Sequence, residues 1–230
     1  MTGPPPAADG RLDARPRTDP AGAPLPAGVS RLDLGRGTEV HLAVPAGPPR
    51  PRPLLVFCHG AGGTGADALR AVGETAVRRG VVVLAPSSVA TTWDLIAGGF
   101  GRDVAVLDAA LAEVFDRQAV TGVALGGFSD GGSYALSLGL ANGELAGALL
   151  ASSPGFLAPP AQQGRPAVWI SHGTQDRVLP VDRCGRRVVR QLQQAGYDVT
   201  YAEFAGGHVI TPDLVAAALE WWGAEPAGGG

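Results

Sequence analysis

The sequence predicts an α/β domain: a mainly parallel sheet with helices on both of its faces. Short apolar runs alternate along the chain with longer segments in which apolar residues recur at helical spacing. Several of the short runs are apolar throughout and stop at glycine, as in "PLLVFCHG" (53–60), which is typical of strands covered on both faces. The chain has 230 residues, 45% of them hydrophobic, which is enough for one domain with a sizeable core.

The elements of the first half follow from these patterns. Two alternating runs, "VSRLDL" and "EVHLAV", lie either side of "GRG" and predict a hairpin. Buried strands are predicted at 53–60 and 81–86, with an amphipathic helix between them that ends at Gly80. A longer helix is predicted over 101–118.

The second half repeats the alternation of strands and helices. The predicted strands are 120–128, 146–154, 166–173 and 198–206, and the predicted helices are 130–141, 184–197 and 212–223. Parallel strands need crossover connections, and ligands of such sheets bind beyond the carboxyl ends of the strands. The residues that directly follow each buried strand are therefore the candidates for a functional site.

The two ends of the chain differ in composition from the middle. Residues 1–28 are rich in Pro, Ala and Gly and contain few large apolar side chains, and "AEPAGGG" (224–230) is similar. Such segments bury too little apolar surface to offset the entropy lost on ordering. We therefore predict disordered tails at 1–28 and 224–230, with the folded domain over 29–223.

Charge and composition argue against several classes of protein. The net charge is −3 and no basic patch is visible, so no nucleic-acid partner is expected. No apolar stretch reaches the ~18–20 residues of a membrane helix, and no signal peptide is visible, so we expect a cytoplasmic monomer or homodimer. All 18 basic residues are Arg, which excludes chemistry that needs a lysine. Cys58 and Cys184 fit neither a disulfide framework nor the spacing of a metal site, so no metal is expected.

A candidate nucleophile follows the strand at 120–128. "GFSDG" (127–131) has the pattern G-x-S-x-G between a predicted strand and a predicted helix. Glycines two residues either side of Ser129 leave room for a tight turn in which other side chains would clash with the backbone. The turn lifts the hydroxyl of Ser129 clear of the sheet and places it near a helix N-terminus, where developing negative charge is favoured.

A second glycine-rich loop, "HGAGG" (59–63), follows the strand at 53–60. A nucleophile that attacks an acyl carbon needs hydrogen-bond donors where the oxyanion forms. We predict that the backbone N–H groups of Ala61 and Asp130 supply them. His59 precedes these glycines, so we interpret it as a structural residue, and the loop lacks both common phosphate-binding patterns.

The last two strands end in residues that complete a catalytic set. Asp176 lies in "SHGTQDRVLP" and His208 in "FAGGH", just before the final helix. Since both follow strands of the same sheet, we expect them to meet Ser129 at one edge. His208 would take the proton of Ser129, and Asp176 would fix the tautomer of His208 and stabilise its charged form.

Other residues of the right types are weaker candidates. His172 also closes a strand, but it precedes the predicted acid and would have to act from the wrong place. Asp94 is a back-up acid, whereas Asp182 and Asp198 lie where a helix and a strand begin. Cys58 lies one residue before His59, so its thiol is expected to face the packing of the sheet.

The motifs together resemble the α/β-hydrolase superfamily, and within it the small serine esterases of the phospholipase/carboxylesterase and dienelactone-hydrolase-like branch. The resemblance runs from about 53 to 222 and rests on "FCHGAGG", "GGFSDGGSYAL", "SHGTQDRVLP" and "GGH". It implies an α/β-hydrolase fold, a Ser–His–Asp triad, no cofactor, and hydrolysis of acyl esters or thioesters.

The chain also departs from that branch. Its carboxylesterases typically have Gln after the nucleophile, where this chain has Asp130, and dienelactone hydrolases proper use Cys in place of Ser129. The Asp130 carboxylate has to point away from the oxyanion, since it would otherwise oppose the charge there. The segment at 155–166 is too short for a helical cap, so we expect no cap domain and an open site.

The open site predicts a preference for short or medium acyl esters. Trp93, Phe100 and Phe156 lie in loops near the expected cleft and are candidates for an apolar wall, as is Leu157. A polyester depolymerase, a feruloyl esterase and a peptidase are alternatives on the same triad. A ligand-binding protein that uses the fold without catalysis is a further alternative.

Overall fold

The computed structural model describes residues 6–34 and 38–224. Eight strands and six helices follow a short 3-10 helix at Pro6–Asp9. The strands are β1 (Gly28–Leu32), β2 (Val40–Val44), β3 (Arg52–Cys58), β4 (Val82–Pro86), β5 (Val120–Phe128), β6 (Ala148–Ser152), β7 (Ala167–Gly173) and β8 (Val199–Phe204). The helices are α1 (Gly65–Arg78), α2 (Asp94–Ala97), α3 (Arg102–Arg117), α4 (Asp130–Ala141), α5 (Gly185–Gln194) and α6 (Pro212–Trp221).

All eight strands form one mixed sheet in the order β1-β2-β4-β3-β5-β6-β7-β8. The first two strands pair antiparallel, and β2 also runs antiparallel to β4. The other strands are β4, β3, β5, β6, β7 and β8 in their order across the sheet. These six are parallel, so their carboxyl ends lie along one edge. The predicted, mainly parallel sheet is confirmed, and that edge carries the candidate site.

Helices cover both faces of the sheet, as the fully apolar strands predict. On one face, α3, α4 and α5 bury side chains such as Leu107, Leu136 and Val188 against the sheet. On the other face, α1 and α6 bury Val72 and Leu219. Helices α1, α3, α5 and α6 each bury one face, whereas α4 is buried on all sides. Burial of these apolar surfaces is the main stabilising contribution in a domain of this kind.

The elements occur where the sequence predicts them, with boundaries that differ by a few residues. The predicted hairpin is an antiparallel pair in which Gly28 lies opposite Val44, and residues 35–37 between its strands lie outside the described part. Helix α2, a single turn, was not predicted because four residues show no periodicity. Residues 153–166, which include the segment expected to be too short for a helical cap, form no helix or strand.

The structure corrects the predicted disordered tail at 1–28 for the residues it describes there. Leu12 is fully buried in the main core, and its backbone N–H donates to the side-chain oxygen of Asn142 at 2.9 Å. The Asn142 amide donates in turn to the Gly10 carbonyl at 2.7 Å, and Asp108 accepts the backbone N–H groups of residues 13 and 14. A segment with few apolar side chains is thus ordered by two of them, Leu12 and Leu25, and by polar groups on distant helices.

At the other end, residues 225–230 of the predicted disordered tail lie outside the described residues. Ala224, the first residue of that predicted tail, is buried, and its carbonyl accepts a hydrogen bond from Arg79 at 3.1 Å. The described helices include none that combines the length and the apolar character needed to cross a bilayer.

Candidate active site

Ser129 occupies a strained turn between β5 and α4. Its backbone has φ 58° and ψ −120°, a conformation that non-glycine residues rarely adopt and that costs about 1–3 kcal/mol. The turn is held because the Ser129 N–H donates to the Ser152 carbonyl at 2.9 Å on the neighbouring strand. As a result the side chain stands at the N-terminus of α4, at the carboxyl edge of the sheet.

Two glycines of the motif are required by close contacts. A Cβ on Gly127 would overlap the carbonyl oxygen of Gly131, and a Cβ on Gly131 would overlap the carbonyl oxygens of Cys58 and His59. The start of α4 therefore packs directly on the backbone at the end of β3. This contact confirms the steric interpretation of "GFSDG" and brings the loop at 59–63 next to Ser129.

The structure brings the three predicted catalytic side chains into one hydrogen-bonded chain. His208 Nε2 lies 2.9 Å from Ser129 Oγ, and His208 Nδ1 lies 2.6 Å from Asp176 Oδ2. An ionised carboxylate only accepts, so Nδ1 carries the hydrogen and Nε2 is left to accept from the serine hydroxyl. The Asp176 side chain is fully buried, while that of His208 is 15% exposed.

Backbone hydrogen bonds between two loops bring Asp176 and His208 together. The N–H of Thr174, just after β7, donates to the Phe204 carbonyl at 2.9 Å, and that of Gln175 donates to the Gly206 carbonyl at 2.9 Å. The ring of Phe128 packs on the ring of His208, with centroids 4.7 Å apart. The imidazole is thus fixed by its own loop and by the residue that precedes the nucleophile.

Three hydrogen-bond donors surround the Asp176 carboxylate. The backbone N–H groups of Val178 and Leu179 donate to Oδ1 at 2.9 and 2.8 Å, and His208 donates to Oδ2. His172 Nε2 also lies 3.3 Å from Asp176 Oδ2, but its hydrogen bond is to the Leu179 carbonyl at 2.8 Å. Burial would raise the pKa of Asp176, but the hydrogen bonds from His208, Leu179 and Val178 lower it below its ordinary value.

His172 is therefore not a rival general base. Its side chain has no exposed surface, and its Nδ1 has no hydrogen-bond partner. Because Nε2 faces the Leu179 carbonyl, it carries the hydrogen and donates it there, 3.3 Å from Asp176 Oδ2. Sequence reasoning placed His172 outside the mechanism, and its contact with the acid became visible only in the structure.

The loop that carries Ala61 packs against the nucleophile, since a Cβ on Gly60 would lie 3.4 Å from Ser129 Cβ, and Asp130 directly follows Ser129. The backbone N–H groups of Ala61 and Asp130 donate to no other group in the described part of the chain. Neighbouring N–H groups are used internally, since that of Gly62 donates to the Thr91 carbonyl and that of Gly63 to the Gly60 carbonyl. Two free donors on adjacent loops are the arrangement that an oxyanion requires, and we retain both as the candidate pair.

His59 has a structural role in the loop that carries Ala61. Its Nδ1 lies 2.7 Å from the Gly60 carbonyl, and its Nε2 accepts the Ser88 N–H at 2.9 Å. This pattern fits the neutral ring with the hydrogen on Nδ1. Burial lowers the pKa of His59, which also favours the neutral form.

Two of the predicted pocket residues are buried beneath the site, and that prediction is corrected. Trp93 is 1% exposed, stacks on Tyr134 at 4.6 Å and donates its indole N–H to the His59 carbonyl at 2.9 Å. Phe100 is 8% exposed and meets the same tyrosine edge-on. Both therefore support the loop at 59–63 from below. Phe156 is half-buried and stays a prediction, as does Leu157.

Asp94, the predicted back-up acid, belongs to a different cluster. Asp94 Oδ2 accepts the Asp103 N–H at 2.9 Å, and Asp103 Oδ2 accepts the Asp94 N–H at 2.7 Å. Asp103 Oδ1 also accepts the Val89 N–H at 2.7 Å. Neither carboxylate is hydrogen-bonded to His208. The pair instead ties together the loop that carries Trp93.

Sequence reasoning missed several contacts around the site. The hydroxyl of Thr92 donates to Asp130 Oδ2 at 2.7 Å, which no motif indicates. Val178 lies two residues after Asp176 and is 66% exposed, and Val209 directly follows His208 and is 44% exposed. These two exposed apolar side chains, close in sequence to two triad members, are additional candidates for an apolar rim.

The cysteines lie apart from this chemistry. Both are free and buried, and burial raises the pKa of the Cys58 thiol, so it is a poor nucleophile. Within residues 6–34 and 38–224, no group of three or more His, Cys, Asp or Glu side chains is placed to hold a metal ion.

Known proteins resemble this chain in part of its sequence and in its fold. No family model matches the chain. Acyl-protein thioesterase 1 of Gibberella zeae is 31% identical over 101 residues, which are 40% of this chain and 43% of that protein, so the match spans less than half of its length.

Solved structures extend the likeness over most of the chain. A fluorophosphonate-binding serine hydrolase of Staphylococcus aureus, FphF, superposes with a TM-score of 0.69 at 14% identity, over 86% of this chain and 98% of that one. Acyl-protein thioesterase 2 of Zea mays gives 0.60 at 18% identity, over 82% and 99%. The structural neighbours are thus esterases and serine hydrolases, and the chain has the α/β-hydrolase fold that its motifs predict.

Proposed function

We propose that the protein is a serine hydrolase that cleaves carboxylic esters or thioesters through an acyl-enzyme intermediate. The observation that carries the proposal is the hydrogen-bonded chain from Ser129 Oγ through His208 to the buried Asp176. Surface residues without a shared role would not place His208 2.9 Å from Ser129 Oγ and 2.6 Å from the carboxylate of a fully buried Asp176. The names of the relatives, two acyl-protein thioesterases and a serine hydrolase, support the same reaction class.

The proposed reaction has two steps. His208 Nε2 takes the Ser129 hydroxyl proton while Oγ attacks the acyl carbon, and the N–H groups of Ala61 and Asp130 hold the oxyanion. The imidazolium then gives that proton to the leaving alcohol or thiol, which departs as the acyl–Oγ ester forms. In the second step His208 takes a proton from water, hydroxide attacks the acyl-enzyme, and Ser129 regains its proton as the acid leaves.

For the substrate, we propose short to medium acyl groups. The segment between β6 and β7 contains no helix, so nothing there encloses a long chain. Val178, Val209 and the half-buried Phe156 provide a limited apolar surface around the triad. A limited apolar surface favours acyl chains with few methylene groups, each of which contributes about 0.8 kcal/mol to binding when it is buried.

The test is intact-mass labelling with a fluorophosphonate, on wild type and Ser129→Ala, followed by turnover of p-nitrophenyl esters from acetate to palmitate. We expect one adduct on wild type, none on the variant, and the highest kcat/KM at short to medium chains. Folded wild type that shows neither adduct nor turnover would contradict the proposal and favour a ligand-binding protein. Faster turnover of long chains would contradict the substrate range alone.

The cytoplasmic location and the monomeric or homodimeric state stay predictions. The polyester, feruloyl-ester and peptide substrates that the same triad permits can be separated by the same assay, extended to those three substrate classes. Turnover of one of them above the simple esters would redirect the proposal without changing the triad.

A further inference from the structure

Asp130 carries a negative charge directly beside the proposed oxyanion site. It is the first residue of α4 and follows the nucleophile, so its own backbone N–H is one of the two candidate donors. Only Cα and Cβ separate the Asp130 carboxylate carbon from the backbone nitrogen of the same residue, so the carboxylate lies close to that candidate donor. Asp130 is half-buried, which reduces the screening of its charge by solvent.

Thr92 determines where this carboxylate points. The Thr92 hydroxyl donates to Asp130 Oδ2 at 2.7 Å, which holds the carboxylate towards the loop at 87–93. That loop also contacts the oxyanion loop, because the Thr91 carbonyl accepts the Gly62 N–H at 2.8 Å. The charge is therefore held towards a segment that is itself hydrogen-bonded to the oxyanion loop.

No described cation neutralises this side of the site. Asp130 forms no ion pair within residues 6–34 and 38–224, and its side-chain hydrogen bond comes from a neutral hydroxyl. Burial lowers the pKa of His59, while the carboxylates of Asp67, Asp103 and Asp130 all act to raise it. The charge of Asp130 is therefore felt at His59, at the base of the loop that carries Ala61.

We propose that Asp130, positioned by Thr92, determines substrate specificity by charge, disfavouring acyl groups that carry a negative charge relative to neutral or cationic ones. This inference rests on the proposed function. A neutral amide at this position would keep the turn, the helix N-terminus and the bond from Thr92, because an amide oxygen also accepts. The carboxylate thus differs from such a residue only in its charge.

The test compares three acyl groups of similar size on one leaving group: p-nitrophenyl butyrate, which is neutral, p-nitrophenyl hemisuccinate, which is anionic, and p-nitrophenyl 4-(trimethylammonio)butyrate, which is cationic. The proteins are wild type, Asp130→Asn, and Glu74→Gln as a matched loss of charge on the exposed surface of α1, away from the site. The measured quantity is the ratio of kcat/KM for the anionic ester to that for the cationic ester.

We expect Asp130→Asn to raise this ratio by about tenfold. A change of this order corresponds to the interaction of the Asp130 charge with the charge on the acyl group across a partly solvated site. Glu74→Gln should leave the ratio within about twofold, since solvent screens an exposed charge at that distance. The wild-type ratio should also rise with added salt, a measurement that needs no variant.

Three outcomes would overturn the inference. An unchanged ratio in Asp130→Asn that still turns over butyrate rejects the role of Asp130 and leaves the proposed function intact. A wild-type ratio that does not respond to salt rejects it even if the variant fails to fold. Wild type that turns over none of the three esters rejects the proposed function, and this inference with it.

Discussion

Two groups of buried aspartates lie at the carboxyl edge of the sheet, and their surroundings affect them in opposite directions. The Asp176 side chain is fully buried, and its pKa is lowered because hydrogen bonds from His208, Leu179 and Val178 outweigh the effect of burial. Asp94 is partly buried, and burial together with the charge of Asp103 raises its pKa to about 6. Asp94 Oδ1 has no hydrogen-bond partner.

The difference is one of balance, since burial raises the pKa of both carboxylates. Hydrogen bonds outweigh burial at Asp176, whereas at Asp94 the charge of Asp103 adds to burial and the backbone hydrogen bonds do not compensate. Asp176 stays ionised next to His208, which the proposed mechanism needs. Asp94 and Asp103 place two carboxylates against each other to tie a loop, at some cost in stability at neutral pH. One cluster is thus suited to electrostatic catalysis and the other to holding the support beneath the oxyanion loop.

The largest effect expected from this comparison is that of Asp176→Asn on turnover. An amide keeps the shape but presents His208 with the wrong partner, so kcat should fall by about 10³–10⁴-fold. Kinetics of p-nitrophenyl butyrate and the thermal unfolding midpoint measure activity and fold separately. The matched change Asp94→Asn should reduce kcat by less than about tenfold. Equal losses in both variants would contradict the distinction between the two clusters.

An intermediate effect is expected at His172, which holds the carbonyl of Leu179, the residue whose N–H donates to Asp176. His172→Leu leaves that carbonyl without a partner and removes the polar ring 3.3 Å from Asp176 Oδ2, so kcat should fall by about fivefold to twentyfold. KM should change less than kcat, because no contact with substrate is lost. His172→Gln retains an N–H donor and should recover most of the loss. If the glutamine variant were as slow as the leucine variant, a hydrogen bond from position 172 would not be what supports Asp176.

The smallest effect concerns stability and its dependence on pH. The folded-state pKa of Asp94 is raised above its unfolded value, so the folded protein binds the proton more tightly and loses stability as pH rises through about 6. Asp94→Asn should therefore stabilise the protein by about 1 kcal/mol at pH above that value, after allowance for solvent screening.

Urea unfolding across this pH range measures the prediction. The gain from Asp94→Asn should vanish when the pH falls below the ordinary pKa of an aspartate. Asp19→Asn, at an exposed position, should change stability at neither pH. A constant gain at all pH values would show that packing, and not the charge of Asp94, is responsible.

Much of the site was predictable because it depends on local rules. The glycines of "GFSDG" are required by a turn within five residues, and the sequence contains the whole turn. Asp176 and His208 could be chosen because the carboxyl ends of parallel strands meet at one edge. Predictions that depended on side-chain direction were weaker. Trp93 and Phe100 follow strand β4, but an aromatic residue in a loop can face substrate or core, and here both face Tyr134.

The amino-acid sequence by itself determined the alternation of strands and helices, the nucleophile turn and the order of the three triad residues, because periodicity and glycine sterics act over short stretches of chain. Only the tertiary structure decided that Leu12 is buried by α3 and α4, that His172 supports Asp176, and that Thr92 holds the Asp130 carboxylate. Each of these contacts joins residues whose meeting depends on how distant elements pack, and local sequence patterns carry no information about such packing.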